Sequence, residues 1–249
     1  YVETLYDLDD QLSEKEKKEF LGVANSETDR LTRLVNDVLD LSRLESGRII
    51  KFAPIDIPPA MDNVMKTYKL NAVEKEVELS LDIDKSIPKI LGNWDLLLQV
   101  LDNLVGNALK FTSKGGKLTL RAYTWPDICN NVPIESNLSA PYCELITPLP
   151  RLRIEINDTG CGISRDDQRN IFDRFYRVEN TVHTQAGTGL GLSIAKGIVE
   201  KHGGRVEMAS ELGIGTTFWF DLPLEIADSD EVRLHAERQI NQSNYISKN

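Results

Sequence analysis

The sequence predicts an α/β protein in which a two-layer α/β sandwich follows part of a helical hairpin. One amphipathic segment runs from Ser13 to about Ser46, which is longer than a typical globular helix. A second helix, at residues 99–111, has one apolar face, and five shorter segments show the alternation or the turn boundaries of β-strands. Several helices beside mostly antiparallel strands favour a sheet with helices packed against it.

The first helix begins at a capping box, since Ser13 is followed three residues later by Glu16, and Gly47 is placed to end it. Its apolar residues alternate in steps of four and three, as in a coiled-coil seam: Phe20, Ala24, Leu31, Leu34, Val38 and Leu41. Because such a helix cannot bury its stripe alone, we expect an antiparallel hairpin that dimerises as a bundle. The alternative is a helix laid across its own globular domain.

The segments after Phe52 alternate between helix and strand signals. Pro54, Pro58 and Pro59 predict a linker, and Asn93 is a suitable cap for the helix that contains residues 99–111. The other predicted elements are a helix to about Glu76, turns at Pro88 with Gly92 and at Gly115 with Gly116, strands at 77–83, 117–123, 151–157, 205–210 and 216–222, a short helix through Phe175, and a helix from after Gly189 to about His202. Residues 124–150 predict an inserted loop, and we expect the polar tail to be disordered.

The helix at residues 99–111 is the element around which a function is organised. Its apolar stripe consists of Leu97, Leu101, Leu104, Ala108 and Phe111. Asn103, Asn107 and Lys110 share a second face, about 120° round the same helix. An amide oxygen is a hard ligand suited to Mg²⁺ and an ammonium group suits phosphate, although asparagine is also common on exposed helix faces that have no function.

Composition restricts the possible partners. The chain has 249 residues, enough for one or two domains, and a formal net charge of −10 from 29 basic and 39 acidic side chains. That charge argues against general affinity for nucleic acid or for anionic membrane surfaces. No apolar run approaches the ~18 residues that span a bilayer. The chain begins without Met, so we expect a piece of a longer protein whose membrane segments could lie upstream.

Cysteine usage gives no sign of a structural metal. Cys129, Cys143 and Cys161 lack the CxxC spacing of a zinc site, which indicates a reducing compartment. A Cys129–Cys143 disulfide remains an open alternative.

Three glycine clusters follow the central helix, at residues 158–162, 187–191 and 213–217. Each alone is weak evidence, since glycine collects in turns. Gly189, Gly191 and Ala195 fit a relaxed dinucleotide fingerprint, but that fingerprint follows a strand, whereas the preceding segment HTQAGT is a polar loop. No GxxxxGK[ST] segment is present, so the P-loop class is excluded as well.

Taken in order, these motifs resemble the ATP-binding domain of sensor histidine kinases, which belong to the GHKL superfamily. The matching segments are residues 99–111 as the N box, DTGCGI at 158–163 as the first glycine box, FDRFYR at 172–177 as the F box, GTGLGLSIAK at 187–196 and GIGTTFWFDLP at 213–223 as the second and third glycine boxes, and ETDRLTRLVNDVLDLSRLESGR at 27–48 as the second helix of the dimerisation and histidine-phosphotransfer hairpin. The resemblance covers nearly the whole chain. Within the family, the sequence is most similar in style to the PAS-linked kinases of cyanobacteria and plastids. It implies the Bergerat ATP-binding fold.

The resemblance implies ATP or ADP with Mg²⁺ as the ligands. Asp158 would accept a hydrogen bond from the adenine amino group, with Thr216 or Thr217 nearby, and Asn107 would hold the metal ion. Asn103 would lie beside the γ-phosphate, and Lys110 and Arg177 would offset phosphate charge during transfer. The remaining implied nucleotide contacts are Gly160, Gly162, Ile163, Phe172, Gly187, Thr188, Gly189, Leu190, Gly191 and Leu192. The second glycine cluster would hinge a lid over residues 178–190.

Asn103 separates two reaction classes within the superfamily. The resemblance implies that, in the hydrolytic relatives, the position of Asn103 is occupied by a glutamate that acts as a general base on water. An amide cannot take up a proton at neutral pH, so Asn103 favours phosphotransfer. Two departures precede this helix: Asn93 replaces an aspartate that caps equally well, and Leu96 removes a charge.

The acceptor histidine is the main departure from the family pattern. The family's phosphorylated histidine lies on the first hairpin helix in a sequence like HELRTP, and this chain begins after that position. His183, His202 and His235 lie in other surroundings, and we expect each to be structurally ordinary. We therefore expect the chain to bind ATP without phosphorylating itself.

The predicted organisation is a partial dimerisation and phosphotransfer hairpin at residues 1–50, a catalytic domain at 51–225 with its insertion at 124–150, and a tail at 226–249. Expected partners are a second copy through the hairpin and the receiver domain of a response regulator. We expect the cytoplasmic portion of a protein anchored in an inner or thylakoid membrane. Two alternatives stay open: a nucleotide-gated interaction module without catalysis, and a hydrolytic GHKL ATPase.

Overall fold

The computed structural model describes residues 12–46, 49–126, 150–178 and 187–224, with the backbone alone for residues 125 and 126. In chain order the elements are α1 Glu14–Glu45, β1 Ala53–Ile55, α2 Ile57–Glu74, β2 Glu78–Ile83, β3 Ile90–Gly92, α3 Trp94–Phe111, β4 Lys117–Pro126, β5 Pro150–Asp158, α4 Arg165–Gln168, α5 Gly191–Lys201, β6 Arg205–Glu211 and β7 Gly215–Pro223. Several predictions lie outside the described residues: most of the predicted insertion, the whole predicted tail, His183, His235, Cys129 and Cys143.

The chain divides into two compact units. The helical unit contains Tyr1–Arg48 and Arg169–Ile194, and the sheet unit contains Ile49–Gln168 and Ala195–Asn249. The segment that carries the F box and the start of the second glycine box therefore belongs to the same unit as α1.

Helix α1 begins at the predicted capping box. The hydroxyl of Ser13 accepts a hydrogen bond from the Glu16 amide, and the Glu16 carboxylate accepts one from the Ser13 amide at 2.9 Å. No residue of α1 is buried, and its exposed apolar side chains include Leu21, Leu31 and Val35. The predicted seam is thus not enclosed by the described part of this chain, and dimerisation through it stays a prediction.

The sheet unit is built on a five-stranded sheet with the order β2-β4-β5-β7-β6. β2 pairs with β4 in parallel, and each of the other neighbouring pairs is antiparallel. Helix α2 contacts β2, and α3 contacts β5. These findings confirm the predicted α/β architecture with five mostly antiparallel strands.

The core lies between α3 and one face of the sheet. Alternation along β5 places Leu152, Ile154 and Ile156 on the buried face, each no more than 1% exposed. The opposing side of α3 buries the predicted stripe from Leu97 to Ala108, while Phe111 is half-buried. This packing fixes which side of α3 remains accessible.

Two short elements were not predicted. β1 and β3 pair antiparallel as a separate two-stranded ribbon, with Ala53 opposite Gly92. Pro58 and Pro59, predicted to lie in a linker, instead occupy the first turn of α2, where the missing amide hydrogen of proline costs nothing. Strands of three residues that contain proline or end in glycine show no alternation to read in a sequence.

The short helix predicted to run through Phe175 ends much earlier. α4 covers only Arg165–Gln168, and turns follow. Phe175 has a φ of 63°, a left-handed conformation that a right-handed helix cannot contain. The prediction was wrong because a sequence pattern does not reveal a positive φ at a residue other than glycine.

Candidate functional site

Asp158 is the buried carboxylate of the sheet unit. It ends β5 on the core side, is 6% exposed, and pairs across the sheet with Thr216, which is also 6% exposed. Oδ1 accepts a hydrogen bond from the Gly160 amide at 2.8 Å. Burial raises the pKa of Asp158, and the amides of Gly160 and Thr216 oppose that rise in part. Among the described residues no cation pairs with this carboxylate, so it is available to a hydrogen-bond donor on a ligand.

Glycines bring the ends of three elements against one another around Asp158. A Cβ on Gly160 would lie 2.7 Å from the Phe111 carbonyl oxygen at the end of α3. A Cβ on Gly162, whose φ is +70°, would lie 2.0 Å from the Glu211 carbonyl oxygen at the end of β6. A side chain at either position would force the backbones apart, so the first glycine cluster is what allows α3, β5 and β6 to converge here.

The polar face of α3 carries the other predicted site residues of the sheet unit. Asn103, Asn107 and Lys110 are all half-buried, as their shared helical face predicts. The side-chain amides of Asn103 and Asn107 form no hydrogen bond with any other residue that the structure describes. Lys110 places its ammonium 4.8 Å from the ring centroid of Phe111. The two amides are therefore free to bind a ligand with oxygens or a hydrated cation.

Hydroxyl groups hold the loop after Asp158 in place. The Ile163 amide donates to Ser210 Oγ at 2.8 Å, and Ser210 Oγ donates to the Gly215 carbonyl at 2.9 Å and lies 2.9 Å from Thr216 Oγ1. Gln168 Nε2 donates to the Ile163 and Ser210 carbonyls at 2.8 and 3.0 Å. Sequence reasoning missed Ser210 and Gln168.

A weak signal for Ser210 exists in the sequence. Val206, Met208 and Ser210 alternate on one side of β6, so serine occupies a position where the strand pattern predicts an apolar residue. Gln168 had no comparable signal.

The structure also separates the two threonines that the sequence left as alternatives. Thr216 lies beside Asp158, whereas Thr217 pairs with Asn157 and accepts a hydrogen bond from its amide at 2.6 Å. Because neighbouring residues in a strand point to opposite faces, Thr217 lies on the other side of the sheet from Asp158.

The helical unit contains the second set of predicted site residues. Phe172 is half-buried and Arg177 exposed in the segment after α4, and Gly191 and Leu192 begin α5. The others in this unit are Gly187, Thr188, Gly189 and Leu190. Each belongs to this unit, and their roles toward a nucleotide stay predictions.

Close contacts join the second glycine cluster to the segment that contains Phe175 and to α1. A Cβ on Gly189, whose φ is +76°, would lie 2.8 Å from the Phe175 carbonyl carbon, and the Phe175 amide donates to the Gly189 carbonyl at 2.9 Å. The Thr188 hydroxyl donates to Asp37 Oδ2 of α1 at 2.6 Å. Arg174 pairs with Glu45 near the end of α1.

His202 is buried and hydrogen-bonded on both ring nitrogens. Nε2 accepts from the Asn93 amide at 3.0 Å, so the proton lies on Nδ1, which donates to the Ile198 carbonyl at 2.8 Å. The ring stacks on Phe52 with centroids 4.8 Å apart. Burial lowers the pKa of His202, which keeps the imidazole neutral. It therefore anchors the cap of α3.

Two family models match the chain. Residues 92–226 match the histidine kinase-, DNA gyrase B- and HSP90-like ATPase family, and residues 1–47 match the His Kinase A phospho-acceptor domain.

Similar curated proteins include a drug sensory protein and a sensor-like histidine kinase. Drug sensory protein A of Synechocystis sp. is 51% identical over 223 residues, which cover 89% of this chain and 32% of that protein. The uncharacterized sensor-like histidine kinase ycf26 of Pyropia yezoensis is 47% identical over 225 residues, with the same two shares of 89% and 32%. The chain therefore spans about a third of the length of the curated relatives it matches.

Solved structures show the same fold. Full-length ShkA in complex with AMPPNP is 30% identical, with a TM-score of 0.66 over 89% of this chain and 42% of that one. The histidine kinase ThkA in complex with the response regulator protein TrrA is 19% identical, with a TM-score of 0.66 over 92% of this chain and 57% of that one. None of the described helices is long and apolar enough to cross a membrane.

Proposed function

The chain belongs to the histidine kinase-, DNA gyrase B- and HSP90-like ATPase family, and we propose that it is the catalytic portion of a two-component sensor histidine kinase. It binds Mg-ATP and transfers the γ-phosphoryl group to a histidine nitrogen, from which an aspartate of a response regulator receives it. The observation that carries this proposal is the buried carboxylate of Asp158. Beside it, Gly160 packs against the end of α3, the helix whose Asn103 and Asn107 side chains form no hydrogen bond with the residues that the structure describes.

Adenine recognition rests on Asp158. An ionised carboxylate is an acceptor only, and the exocyclic amino group of adenine is a donor. Thr216, the partner of Asp158 across the sheet, adds a hydroxyl oxygen beside this carboxylate. A Cβ at Gly160 would lie 2.7 Å from Asp158 Oδ1, so the glycine leaves this oxygen uncovered. A relative solved with AMPPNP supports a nucleotide as the ligand.

The donor set of α3 fits a magnesium ion that is held mainly by phosphate. Among the described residues no group of three histidine, cysteine or acidic side chains could hold a metal on its own. Mg²⁺ prefers oxygen ligands and keeps several waters, so one amide oxygen together with phosphate oxygens is sufficient. Asn107 would hold the ion, which offsets phosphate charge when bound, and Lys110 adds a positive charge on the same face of α3.

Phosphotransfer is favoured over hydrolysis by Asn103. Its side chain is half-buried on α3, and its amide has no hydrogen-bond partner among the described residues. An amide can orient a phosphate or a nucleophile, but it cannot remove a proton from water. We therefore assign Asn103 to positioning of the γ-phosphoryl group.

The match to a phospho-acceptor domain indicates which proteins this chain binds. The match of residues 1–47 to a phospho-acceptor domain supports a dimer formed through α1, and one relative was solved with its response regulator. We propose that a second copy and a receiver domain are the two partners of this chain. We further propose that it is the cytoplasmic portion of a membrane-anchored protein.

Calorimetric titration with Mg-ADP and a non-hydrolysable ATP analogue tests nucleotide binding. We expect micromolar binding by the parent chain, loss of binding in Asp158→Ala, and loss of the Mg²⁺ dependence in Asn107→Ala. Asn63→Ala, at an exposed position of α2, is the control and should behave as the parent does. Absence of binding by the folded parent chain would reject the proposal.

A further inference from the structure

We propose that Ser210 determines base specificity by fixing the direction of the Thr216 hydroxyl, so that the site selects a purine with an amino group over one with an oxo group at position 6. This inference rests on the proposed function, in which Asp158 and Thr216 meet the base. Ser210 would then be a positioning residue, since it acts through Thr216.

The hydrogen-bond count at Ser210 leads to this conclusion. A serine hydroxyl has one proton and two lone pairs. The proton goes to the Gly215 carbonyl at 2.9 Å, and one lone pair accepts from the Ile163 amide at 2.8 Å. The contact of 2.9 Å with Thr216 Oγ1 must therefore use the second lone pair. Thr216 is the donor in that contact.

The direction of the Thr216 hydroxyl decides what a ligand can offer. Once its single proton points to Ser210, Thr216 presents only lone pairs to its surroundings. Asp158, its partner across the sheet, is also an acceptor when ionised. Two acceptors side by side match the amino group of adenine and repel the carbonyl oxygen of a 6-oxopurine. A hydroxyl that could turn freely would accept a hydrogen bond from the amino group or donate one to the oxo group.

Burial makes this arrangement effective. Thr216 and Asp158 are each 6% exposed, so water has little room to compensate for a mismatched pair of acceptors. Gly215 supplies the acceptor that fixes Ser210, and its backbone packs closely, since a Cβ there would lie 2.1 Å from the Asp158 carbonyl oxygen. Ser210, Gly215 and Thr216 therefore lie at the closely packed ends of β6 and β7.

Gln168 provides a matched control. Its side-chain amide donates to the Ile163 and Ser210 carbonyls, so it holds the same loop on the same strand. No hydrogen bond links it to the hydroxyl of Thr216 or Ser210. A purely structural loss at this site is therefore reproduced by Gln168→Met, without any change in the direction of the Thr216 hydroxyl.

The test compares Mg-ADP with Mg-IDP, which carries an oxo group in place of the amino group, by calorimetry at pH 8. We expect the parent chain to favour ADP and Ser210→Ala to reduce the ratio of the two dissociation constants on the order of five-fold, the equivalent of one neutral hydrogen bond. Ser210→Thr, which keeps a hydroxyl, should retain the parental ratio. Gln168→Met should weaken both nucleotides equally.

Two further variants make the result decisive. Ser210→Cys keeps the volume but bonds weakly, so it replaces Ser210→Ala if thermal melting shows that the alanine variant does not fold. In a Thr216→Val background, Ser210→Ala should leave the ratio unchanged, because the group through which Ser210 acts is gone.

Two outcomes would overturn the proposal, and they are distinguishable. If Ser210→Ala weakens ADP and IDP equally, Ser210 only supports the loop and the proposed function stands. If the folded parent chain binds neither nucleotide, the proposed function fails and the inference fails with it.

Discussion

The carboxylate of Asp158 lies at the end of β5, 6% exposed, with the Gly160 amide 2.8 Å from Oδ1. Burial disfavours the charged form, and this raises the pKa of Asp158 despite the opposing amides. The folded chain thus holds a proton at this site more tightly than the unfolded chain. The free energy of unfolding therefore falls as pH rises from the ordinary value of 3.8 through the raised pKa.

Asp158→Asn should separate recognition from stability. We expect nucleotide affinity to fall about 10- to 100-fold, because a charged hydrogen bond is lost. The free energy of unfolding at pH 7 should be equal to or higher than that of the parent, since the buried charge is gone. Urea unfolding between pH 3 and 8, together with calorimetry, measures both effects.

Asp84 is the control of opposite sign for that substitution. Ser86 donates two hydrogen bonds to Asp84, which lower the pKa of its carboxyl, so Asp84→Asn should reduce stability at pH 7 and leave nucleotide binding unchanged. A stability loss at pH 7 in Asp158→Asn as large as that in Asp84→Asn would contradict the argument from burial.

His202 should make the fold sensitive to mild acid. Its pKa in the folded chain is lowered below the ordinary 6.5, so the stabilisation is complete above 6.5 and is lost as pH falls through the lowered pKa. Protonation of Nε2 removes the acceptor of the Asn93 amide. We expect the unfolding free energy of the parent to drop between pH 7 and 5. His202→Gln should be less stable at pH 7.5 and show a shallower pH dependence, and parallel curves would refute this account.

At the scale of elements, the contacts within the helical unit join the segment after α4 to the second glycine cluster, and that cluster to α1. The segment after α4 and the second glycine cluster touch through Phe175 and Gly189, and the cluster in turn contacts α1 through Thr188. Thr188, at the described end of the segment that is expected to act as a lid, is therefore held by α1, which lies in the stretch that matches the phospho-acceptor domain.

Gly189 and Gly213 allow a matched test of close packing. Both have a positive φ, +76° and +81°, but only Gly189 has backbone atoms within 3.0 Å of a Cβ. Gly213→Ala should cost about 1–2 kcal/mol of stability from the backbone conformation alone. Gly189→Ala should cost about 1–3 kcal/mol more, because the Phe175 segment must move. Urea unfolding of the two variants measures the difference, and equal losses would exclude a packing role for Gly189.

Asp37→Ala should loosen the second glycine cluster from α1. The Thr188 hydroxyl loses a charged acceptor, and a bond of this kind contributes about 1.5–3 kcal/mol. We expect faster amide hydrogen exchange at Gly189 and Leu190. Asp29→Ala, at an exposed position of the same helix, should leave those rates unchanged. Equal rates in Asp37→Ala and the parent would show that the contact does not hold the segment.

At the scale of the molecule, much of the fold was readable because its signals are local. The capping box at Ser13, the cap at Asn93 and the alternation in the five strands each depend on a few neighbouring residues. The family resemblance implied that Gly160 and Gly162 contact a nucleotide, and this stays a prediction. The structure adds that these glycines allow two other elements to converge.

The remainder depends on contacts between segments that the chain brings together only when it folds. The β1 and β3 ribbon forms because Ala53 meets Gly92, and neither segment has a strand pattern of its own. The left-handed Phe175 is held by Gly189, and Ser210 matters only because Thr216 and Ile163 lie beside it. Such pairings are consequences of the fold, so a single sequence does not reveal them.

Transfer of labelled phosphate tests the central claim most directly. The chain is incubated with Mg-ATP labelled at the γ position and with a separate histidine-bearing phospho-acceptor hairpin. Our account predicts label on that hairpin that is labile in acid and stable in alkali, and its loss when Asn103→Ala is used. Two results together would contradict the account and identify a hydrolytic ATPase. The hairpin would remain unlabelled, and the chain without the hairpin would steadily release inorganic phosphate in a reaction that Asn103→Ala abolishes.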